Sequence, residues 1–485
     1  NWRAGERQVN GSSPTLGTFS QRVRVALADD GLQQAMKRAK GGFVDHRRDA
    51  VEALPEFDQI RDASKDIKDH VLAHLDLYLE MYEKKVLENG GHVHWARTGD
   101  EASLLITQLC ERVGARRVTK GKSMVSEEMN LNEALEKSGV EVIETDLGEY
   151  IVQLASEKPS HIIAPAVHKT RDQITELFHH HHKPLGYHER LTERKAIVSE
   201  ARSVLRERFV SADVGITGAN FLVAETGSSV IVTNEGNGDL TSRLPRIQIV
   251  TAGIEKLIPS LEDLSTLLRV LARSATGQEM SAYTSLYSGP RRSEDLEGPE
   301  EYHVVLLDNG RSGMLGGAYQ SMLRCIRCGA CLNHCPVYTG IGGHAYGWVY
   351  PGPMGSVLTP LMRGFDTQFD LPNACTLNGA CKAICPVQIP LPDLLRQHRV
   401  EQHRRKLTSG PSRVLLAIWG YLVRRPRFYQ AVVALPVWLL HRLGRERGVL
   451  QRLPLAGGWT RSRDFPSPAA RTFQRQWRDK MRIEK

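Results

Sequence analysis

Long apolar segments are absent from this sequence of 485 residues. No stretch reaches the roughly 20 apolar residues that a membrane-spanning helix needs, and residues 1–30 lack the apolar core of a signal peptide. A Walker A run is missing, as is a GxGxxG segment after a predicted strand, so no nucleotide-binding motif is present. Cysteine is scarce, at eight residues, which excludes a disulfide-dense secreted domain. We therefore expect a protein of the reducing cytoplasm.

Acidic residues are sparse towards the end of the chain. Residues 391–485 contain 21 Lys and Arg against 6 Asp and Glu, although the whole chain has a net charge of only +9. The remaining body is therefore acidic. A basic tail on an acidic body predicts contact with an acidic partner or with an anionic membrane surface. No nucleic-acid recognition motif accompanies this charge, so we expect no nucleic-acid partner.

The cysteines that are present are concentrated in two short loops. The first loop reads CIRCGACLNHCP and the second reads CTLNGACKAICP. Both have the spacing of a ferredoxin cluster loop with proline after the last cysteine, except that Asn378 stands where the second loop would carry a cysteine. The seven candidate ligands are Cys325, Cys328, Cys331, Cys335, Cys375, Cys381 and Cys385.

This spacing predicts two adjacent iron–sulfur clusters. In two-cluster ferredoxins the last cysteine of each run binds the other cluster. Applied here, this rule gives one [4Fe-4S] cluster a complete set of four thiolates, Cys325, Cys328, Cys331 and Cys385. The second cluster receives three thiolates, from Cys335, Cys375 and Cys381, with Asn378 at its fourth corner. It is either a [4Fe-4S] or a [3Fe-4S] cluster.

Two other interpretations of the cysteines are weaker. A zinc ribbon needs paired CxxC motifs around one tetrahedral ion and has no need for the proline endings. Disulfides are disfavoured because clustered CxxC runs in a long chain indicate metal binding. The eighth cysteine, Cys110, lies among leucines on a predicted helix without a basic neighbour, so we expect a small buried hydrophobe.

The region before the cysteines predicts an α/β domain. Short apolar runs alternate with helical periodicity, and we expect strands at 92–96, 140–145, 161–166, 221–225, 228–234 and 246–253. We divide the chain into an N-terminal helical segment (1–60), the α/β domain (61–310), a helical ferredoxin-like domain with two clusters (311–395) and a mostly helical basic region (396–485). Residues 285–320 read as a connector with one strand, and 311–323 as a helix. The insert at 336–374 contains too much Gly and Pro for regular structure.

Two polar segments of the α/β domain are candidate sites. The first, 217–240, carries polar residues between strands, which fit either a pocket or plain hairpin turns. These residues are Glu225, Asn234, Glu235, Asn237 and Asp239. The second is the run of four histidines at 179–182, with His161, His168 and His188 nearby. His179 and His182 can share one helix face, so metal binding competes with a partly buried polar face.

Two apolar runs, 414–423 and 431–440, lie in the basic tail. Each has about ten residues and is too short to span a bilayer. They fit helices packed on the cluster domain, and they also fit an interfacial anchor flanked by arginines. We favour packing, and keep peripheral contact with the inner face of the membrane as the alternative.

Many segments resemble one known family. They include KSMVSEE, ETDLGEYIVQL, TGANFLVAETGS, TNEGNG, AGIEKLIPSLEDL, CIRCGACLNHCP and CPVQIPLPDLLR. These are similar to segments of the lactate-utilisation B family, the iron–sulfur subunits of a bacterial L-lactate oxidation system. The resemblance covers nearly the whole chain, and Asn378 departs from the full cysteine set of many relatives.

The resemblance implies both a fold and a function. It implies a LUD (lactate-utilisation) domain at 61–310 with a CoA-transferase/isomerase-like fold, in which Glu225 takes the place of a catalytic glutamate. It also implies partner subunits A and C. The resulting hypothesis is an electron-transfer subunit of an L-lactate dehydrogenase complex rather than a complete enzyme. The alternative hypothesis is a regulatory iron–sulfur protein that senses oxygen or redox state.

Overall fold

The structure, a computed structural model, describes residues 18–121, 123–453, 456–460 and 463–483, without the side chain of Lys40. The chain forms two compact units that divide between Val400 and Glu401. The finer division into four parts stays a prediction. The helices that begin in the first unit are α1 Phe19–Ala28, α2 Asp30–Glu52, α3 Phe57–Ala73, α4 Leu75–Glu88, α5 Gly99–Arg112, α6 Met124–Glu128, α7 Leu131–Lys137, α8 Leu147–Leu154, α9 Arg171–His182, α10 Arg194–Val210, α11 Asn237–Arg243, α12 Leu261–Ala275, α13 Ala330–Asn333, α14 Tyr338–Ile341, α15 Gly352–Arg363, α16 Phe365–Gln368, α17 Ala380–Ala383 and α18 Leu391–Arg404.

Two sheets occupy the middle of the first unit. Their strands are β1 His92–Ala96, β2 Arg117–Gly121, β3 Glu141–Glu144, β4 Val214–Gly218, β5 Phe221–Val223, β6 Ser228–Thr233, β7 Ile247–Gly253, β8 Leu257–Ile258, β9 Tyr283–Tyr287 and β10 Glu301–Leu307. The larger sheet has six parallel strands in the order β1-β10-β7-β4-β2-β3. The smaller sheet has four strands in the order β8-β5-β6-β9, mostly antiparallel. The predicted α/β class is confirmed.

Helices cover both faces of the parallel sheet, which is why its strands read as continuous apolar runs. Every residue of β4 and β7 is buried. Apolar side chains of α5, α6 and α7 pack on one face, and those of α3 and α4 pack with the smaller sheet on the other. Gly215 of β4 permits a close approach of α11, because a Cβ there would lie 1.8 Å from the carbonyl oxygen of Thr241.

Four local expectations were wrong. Residues 161–166 form bends and turns, not a strand. The strand expected within residues 285–320 is present as β10, but it lies inside the parallel sheet between β1 and β7 and is not part of a connector. Residues 311–323 contain only two 3₁₀ turns, and the insert at 336–374 contains α14, α15 and α16. Helix α15 is possible despite its glycines and prolines because Pro353 lies in its first turn, where no backbone donor is needed.

The second unit is small and mostly helical. Its elements are α19 Gly410–Val423, α20 Pro426–Gly444, β11 Val449–Leu450, β12 Phe465–Pro466 and α21 Phe473–Ile483. Helix α19 has no buried residue, and Gly444 is the buried residue of α20. Among the residues that the structure describes, no helix is long and apolar enough to cross a membrane.

Candidate iron–sulfur centres and an adjoining cavity

The two cysteine loops have the same backbone conformation. Arg327 and Leu377, each two residues after the first cysteine of its loop, have positive φ values of 59° and 57°. Gly329 and Gly379 follow at 74° and 84°, and a one-turn helix, α13 or α17, comes next. Residues with side chains rarely adopt positive φ. The shared strain therefore shows that the second loop is a structural repeat of the first.

Four thiols of the two loops form the first group. Burial raises the pKa of Cys331 well above its ordinary value, and the neighbouring thiols Cys325, Cys328 and Cys385 raise it further. Burial likewise raises the pKa of Cys385 to about 11, with Cys325 contributing. Cys385 belongs to the second loop, so this first thiol group draws one member from across the repeat.

Three thiols form the second group. Burial raises the pKa of Cys335, and Cys375 adds to the shift. Burial, Cys375 and Cys335 together raise the pKa of Cys381 to about 12. Cys335 is the last cysteine of the first loop, so the exchange of one cysteine runs in both directions. The assignment of these thiols to two clusters stays a prediction.

Asn378 occupies the place of Cys328 in the repeat. The backbone N–H of Ala380 donates to Asn378 Oδ1 at 3.2 Å. The equivalent N–H, that of Ala330, donates to the Cys328 thiol and lowers its pKa against the larger effect of burial. The environments differ, because Cys328 is buried and Asn378 is exposed. Asn378 thus replaces the sulfur with a carboxamide oxygen on the solvent side of the second group.

The donor set fits iron–sulfur clusters better than zinc or disulfides. All seven cysteines are free thiols. A zinc site with Zn–S bonds of about 2.3 Å brings its sulfurs to roughly 3.8 Å from one another. Among the described residues, no three cysteine sulfurs lie within 4.8 Å of one another. The cysteine sulfurs are therefore spaced more widely than one zinc ion requires.

Backbone amides and arginines offset negative charge around the thiols. The N–H groups of Leu377 and Ile389 donate to Cys375 Sγ and Cys385 Sγ, each at 3.3 Å. Arg47 of α2 is 8% exposed, donates to the carbonyl of Ile384 and lowers the pKa of Cys328 against the larger effect of burial. Hydrogen bonds to cluster sulfurs and nearby charge set reduction potentials. No motif in the sequence pointed to Arg47, which lies on an ordinary amphipathic helix.

A buried ion-pair network joins the α/β sheets to the first cysteine loop. Arg311 contacts Glu128 at 2.8 Å and Glu255 at 2.7 Å, and Arg327 contacts Glu255 at 3.3 Å. Burial alone would raise the pKa of Glu255, but Arg311 and Arg327 lower it to about 2. Removing one member of such a network leaves an uncompensated buried charge, which costs about 3–5 kcal/mol. Sequence reasoning missed this network because its members are far apart in the chain.

A cavity of about 140 Å³ lies beside this network. It opens at the carboxyl edge of the parallel sheet, where Ser123 follows β2, Asp146 follows β3 and Thr251 lies in β7. Arg327 of the first cysteine loop and Lys256 also line it. Burial and the charge of Arg327 lower the pKa of Lys256 to about 8. The carboxyl edge is where open parallel sheets bind ligands.

Comparison with known proteins accounts for both halves of the first unit. The family model described as the LUD domain matches residues 79–307, and that of the 4Fe-4S dicluster domain matches residues 321–389. Lactate utilization protein B of Macrococcus caseolyticus (strain JCSC5402) is 43% identical over 468 residues, which is 95% of this chain and 96% of that protein. The chain belongs to the lactate utilization protein B family.

Two further relatives of this family cover the same length. Lactate utilization protein B of Bacillus subtilis (strain 168) is 41% identical over 95% of this chain and 96% of its own. The uncharacterized electron transport protein YkgF of Escherichia coli (strain K12) is 40% identical, also over 95% and 96%. A crystal structure of a duf162 family protein from Deinococcus radiodurans covers 48% of this chain and 98% of its own at 14% identity. Its TM-score is 0.27, too low to support any conclusion.

The polar residues of the LUD domain segment 217–240 do not gather in one place. Glu225 is exposed after β5 and accepts a hydrogen bond from the backbone N–H of Leu261 at 3.1 Å, at the start of α12. It is not among the residues that line the 140 Å³ cavity, whereas Asn234 is. Asp239 accepts hydrogen bonds from the hydroxyls of Ser285 and Tyr287. The catalytic role of Glu225 stays a prediction.

Within the histidine run, His182 is held by hydrogen bonds to its neighbours, whereas the buried Nδ1 of His179 has no hydrogen-bond partner among the described residues. His182 is buried, with Nδ1 2.7 Å from Glu200 Oε1 and Nε2 2.9 Å from the Tyr150 hydroxyl. Three possible metal donors meet elsewhere, at Glu157, His168 and His344. Glu157 is already paired there, with His168 and with Lys169.

Cys110 is fully buried in the core of α5, and burial raises its pKa to about 12. The prediction of a small buried hydrophobe is therefore confirmed.

Proposed function

We propose that this chain is the iron–sulfur electron-transfer subunit of a multi-subunit complex that oxidises L-lactate to pyruvate. The observation that carries the proposal is the pair of thiol groups, each completed by a cysteine from the other loop. Cys331 of the first group also interacts with Cys381 of the second. Two redox centres this close suit the passage of electrons in single steps.

The ligand sets follow the two thiol groups. Cys325, Cys328, Cys331 and Cys385 hold one [4Fe-4S] cluster. Cys335, Cys375 and Cys381 hold the second, a [4Fe-4S] or a [3Fe-4S] cluster, with Asn378 at the fourth corner. The exposed position of Asn378 supports a corner that solvent can reach.

Lactate oxidation removes two electrons and two protons, usually with a hydride passing to an organic cofactor. A cluster accepts one electron at a time and cannot accept a hydride. Subunits A and C, which the family resemblance implies, therefore supply what this chain lacks. This chain receives electrons from a catalytic partner and passes them to an acceptor.

We further propose a CoA-transferase-like ancestry for the LUD domain, which its open parallel sheet supports, and a catalytic role for Glu225. Replacing Glu225 by Gln is then expected to lower kcat of the assembled complex at least about 100-fold, as loss of a catalytic acid or base does. Lactate turnover of the complex checks this, with Glu262→Gln on α12 as a control that stays active. Unchanged turnover of Glu225→Gln would remove Glu225 from the mechanism.

Peripheral contact with the cytoplasmic face of a membrane is proposed for the second unit. Helices α19 and α20 expose large apolar side chains, among them Leu415, Trp419, Leu435 and Trp438, at 45% or more. Arg424, Arg425 and Arg427 lie where the two helices join. Exposed aromatic residues next to basic residues suit the interface of an anionic bilayer.

A regulatory iron–sulfur protein is the second candidate function, because an exposed non-cysteine corner at Asn378 offers oxygen a point of attack on the second cluster. Reversible electron uptake at a potential between those of the lactate/pyruvate couple and of quinone would support the electron-transfer function. Loss of the cluster coupled to release of a partner supports the sensor.

One preparation tests the main proposal. Anaerobically prepared protein is analysed for iron and sulfide and by electron paramagnetic resonance, and lactate turnover is measured with and without subunits A and C. We expect signals from two clusters, little turnover alone and turnover in the complex. Robust lactate oxidation by this chain alone would contradict the role of a relay.

A further inference from the structure

The 140 Å³ cavity has the size of a small organic molecule. An apolar cavity of about 150 Å³ is known to hold benzene, a molecule of about six heavy atoms. A three-carbon hydroxy or oxo acid has the same number of heavy atoms. The cavity is also built from distant parts of the chain, since both the parallel sheet and the first cysteine loop contribute to its wall.

One end of the cavity carries two cations with unused hydrogen-bond donors. Lys256 is 6% exposed and lines the cavity, and none of the described residues forms a hydrogen bond or ion pair with its ammonium group. Arg327 uses Nη2 for Glu255 at 3.3 Å, while its buried Nη1 has no partner among the described residues. Its guanidinium is held 4.5 Å above the ring of Tyr350.

The neighbouring carboxylates Glu255 and Glu128 are engaged by other groups, although Glu255 also attracts the ammonium of Lys256, and the acids Asp146 and Glu149 lie on the cavity wall. Glu255 is engaged by Arg311 and Arg327, and Glu128 by Arg311 and the hydroxyl of Tyr350. Burying a charge without a partner is costly, so buried cations are normally paired. The buried Nη1 of Arg327, which lacks a hydrogen-bond partner among the described residues, and the ammonium of Lys256 on the same wall therefore indicate an anion that enters through the cavity.

The other walls restrict what that anion can be. Ser123 and Thr251 lie on the wall at the strand ends, with hydroxyls 2.8 Å apart that are also bonded to Ser126. They add polar surface that favours an oxygen-bearing carbon next to the carboxylate. Ile163 and Leu271 add apolar surface for a short alkyl group. The carboxyl group of Asp146, which accepts a hydrogen bond from the backbone N–H of Gly148, also lies on the wall. It disfavours a ligand that carries a second negative charge.

We propose that this cavity binds a small monocarboxylate of the 2-hydroxy or 2-oxo acid class, with its carboxylate on Lys256 and Arg327. The choice of acid rests on the proposed function, since lactate and pyruvate belong to this class. The presence of an anion site rests on the cavity and its cations alone. The ligand would lie beside the first cysteine loop, because Arg327 is between Cys325 and Cys328.

Binding to the holoprotein tests the proposal. Anaerobic protein with its iron content determined is titrated calorimetrically with pyruvate, L-lactate, propionate, malonate and inorganic phosphate. We expect pyruvate and L-lactate to bind, and propionate to bind more weakly because it lacks the oxygen at carbon 2. Malonate is expected to be excluded by Asp146. Binding of phosphate without any monocarboxylate, or of none of these anions, would overturn the proposal.

Two variants locate the site. Lys256→Gln is expected to weaken pyruvate binding at least about tenfold, because a buried charge partner is lost, while the exposed Lys84→Gln binds as the parent does. Ala275→Val, which narrows the cavity and leaves both cations in place, should also weaken binding. Unchanged affinity in both variants would overturn the proposal.

A second role for the cations is separable from this one. Lys256 and Arg327 both interact with Cys325 and could serve the cluster alone. In that case Lys256→Gln would shift the cluster signal and leave pyruvate affinity unchanged, which would overturn the proposal. Pyruvate binding by a protein whose clusters take up no electrons would instead contradict the proposed function and leave the anion site standing.

Discussion

The two cysteine loops share a backbone and differ in one ligand. Arg327 and Leu377 have nearly equal φ values, and the same N–H of the following one-turn helix points at Cys328 in one loop and at Asn378 in the other. Cys328 is buried, whereas Asn378 is exposed. The conformation of the loop therefore does not depend on the middle cysteine, while the chemistry at that corner does.

The loops also differ in what surrounds them. The first loop is tied to the α/β sheets through Arg327, which contacts Glu255 and Tyr350. At the equivalent position of the second loop, Leu377 is 40% exposed. The first loop is thus a junction between two parts of the protein, whereas residues 376–378 of the second loop are exposed. This difference leads to three predictions.

The largest effect is expected from making the first loop like the second. Cys328→Asn should cost about four irons per chain, because a buried carboxamide cannot replace a thiolate of a complete cluster. Iron and sulfide analysis with electron paramagnetic resonance checks this. Cys110→Ala, which removes a thiol outside both groups, should retain all iron. Full iron content in Cys328→Asn would contradict the ligand assignment.

A smaller effect is expected from the reverse change. Asn378→Cys supplies the missing thiolate at an exposed corner, so after brief exposure to air it should retain about one more iron per chain than the parent. Iron analysis over time measures this. Thr376→Cys, which adds an exposed cysteine two residues away, is the matched control. Equal iron loss in the parent and Asn378→Cys would show that this corner is not where the second cluster breaks down.

The smallest effect concerns backbone strain. Leu377→Gly relieves a positive φ at an exposed residue, which should stabilise the folded state by about 1 kcal/mol. The extra conformational freedom of glycine in the unfolded chain offsets part of this gain. Arg327→Gly relieves the same strain but removes a buried ion-pair member, so it should destabilise the protein. Urea unfolding of anaerobic holoprotein compares the two. Equal changes in the free energy of unfolding would contradict the role of Arg327 as a junction.

Patterns of neighbouring residues were sufficient to predict features that depend on neighbouring residues alone. Cysteine spacing predicted both loops, and alternating apolar runs predicted β1, β3, β5, β6 and β7 because strand signals depend on neighbouring residues. The same patterns wrongly predicted a strand at 161–166. This apolar segment forms turns, which are held by contacts such as that between His161 Nε2 and Asn333 Oδ1 at 3.0 Å. The patterns predicted β10 as a strand but not its position in the parallel sheet, since the place of a strand in a sheet is set by long-range pairing.

The sequence alone determined the α/β class, the two cysteine loops and the family, because residue type and spacing along the chain carry that information. Tertiary structure alone decided the exposure of Asn378 and the meeting of Lys256 with Arg327 at one cavity. Those features depend on which distant segments are packed together and shielded from water. Burial and charge pairing, which set pKa values and binding, arise only from that packing.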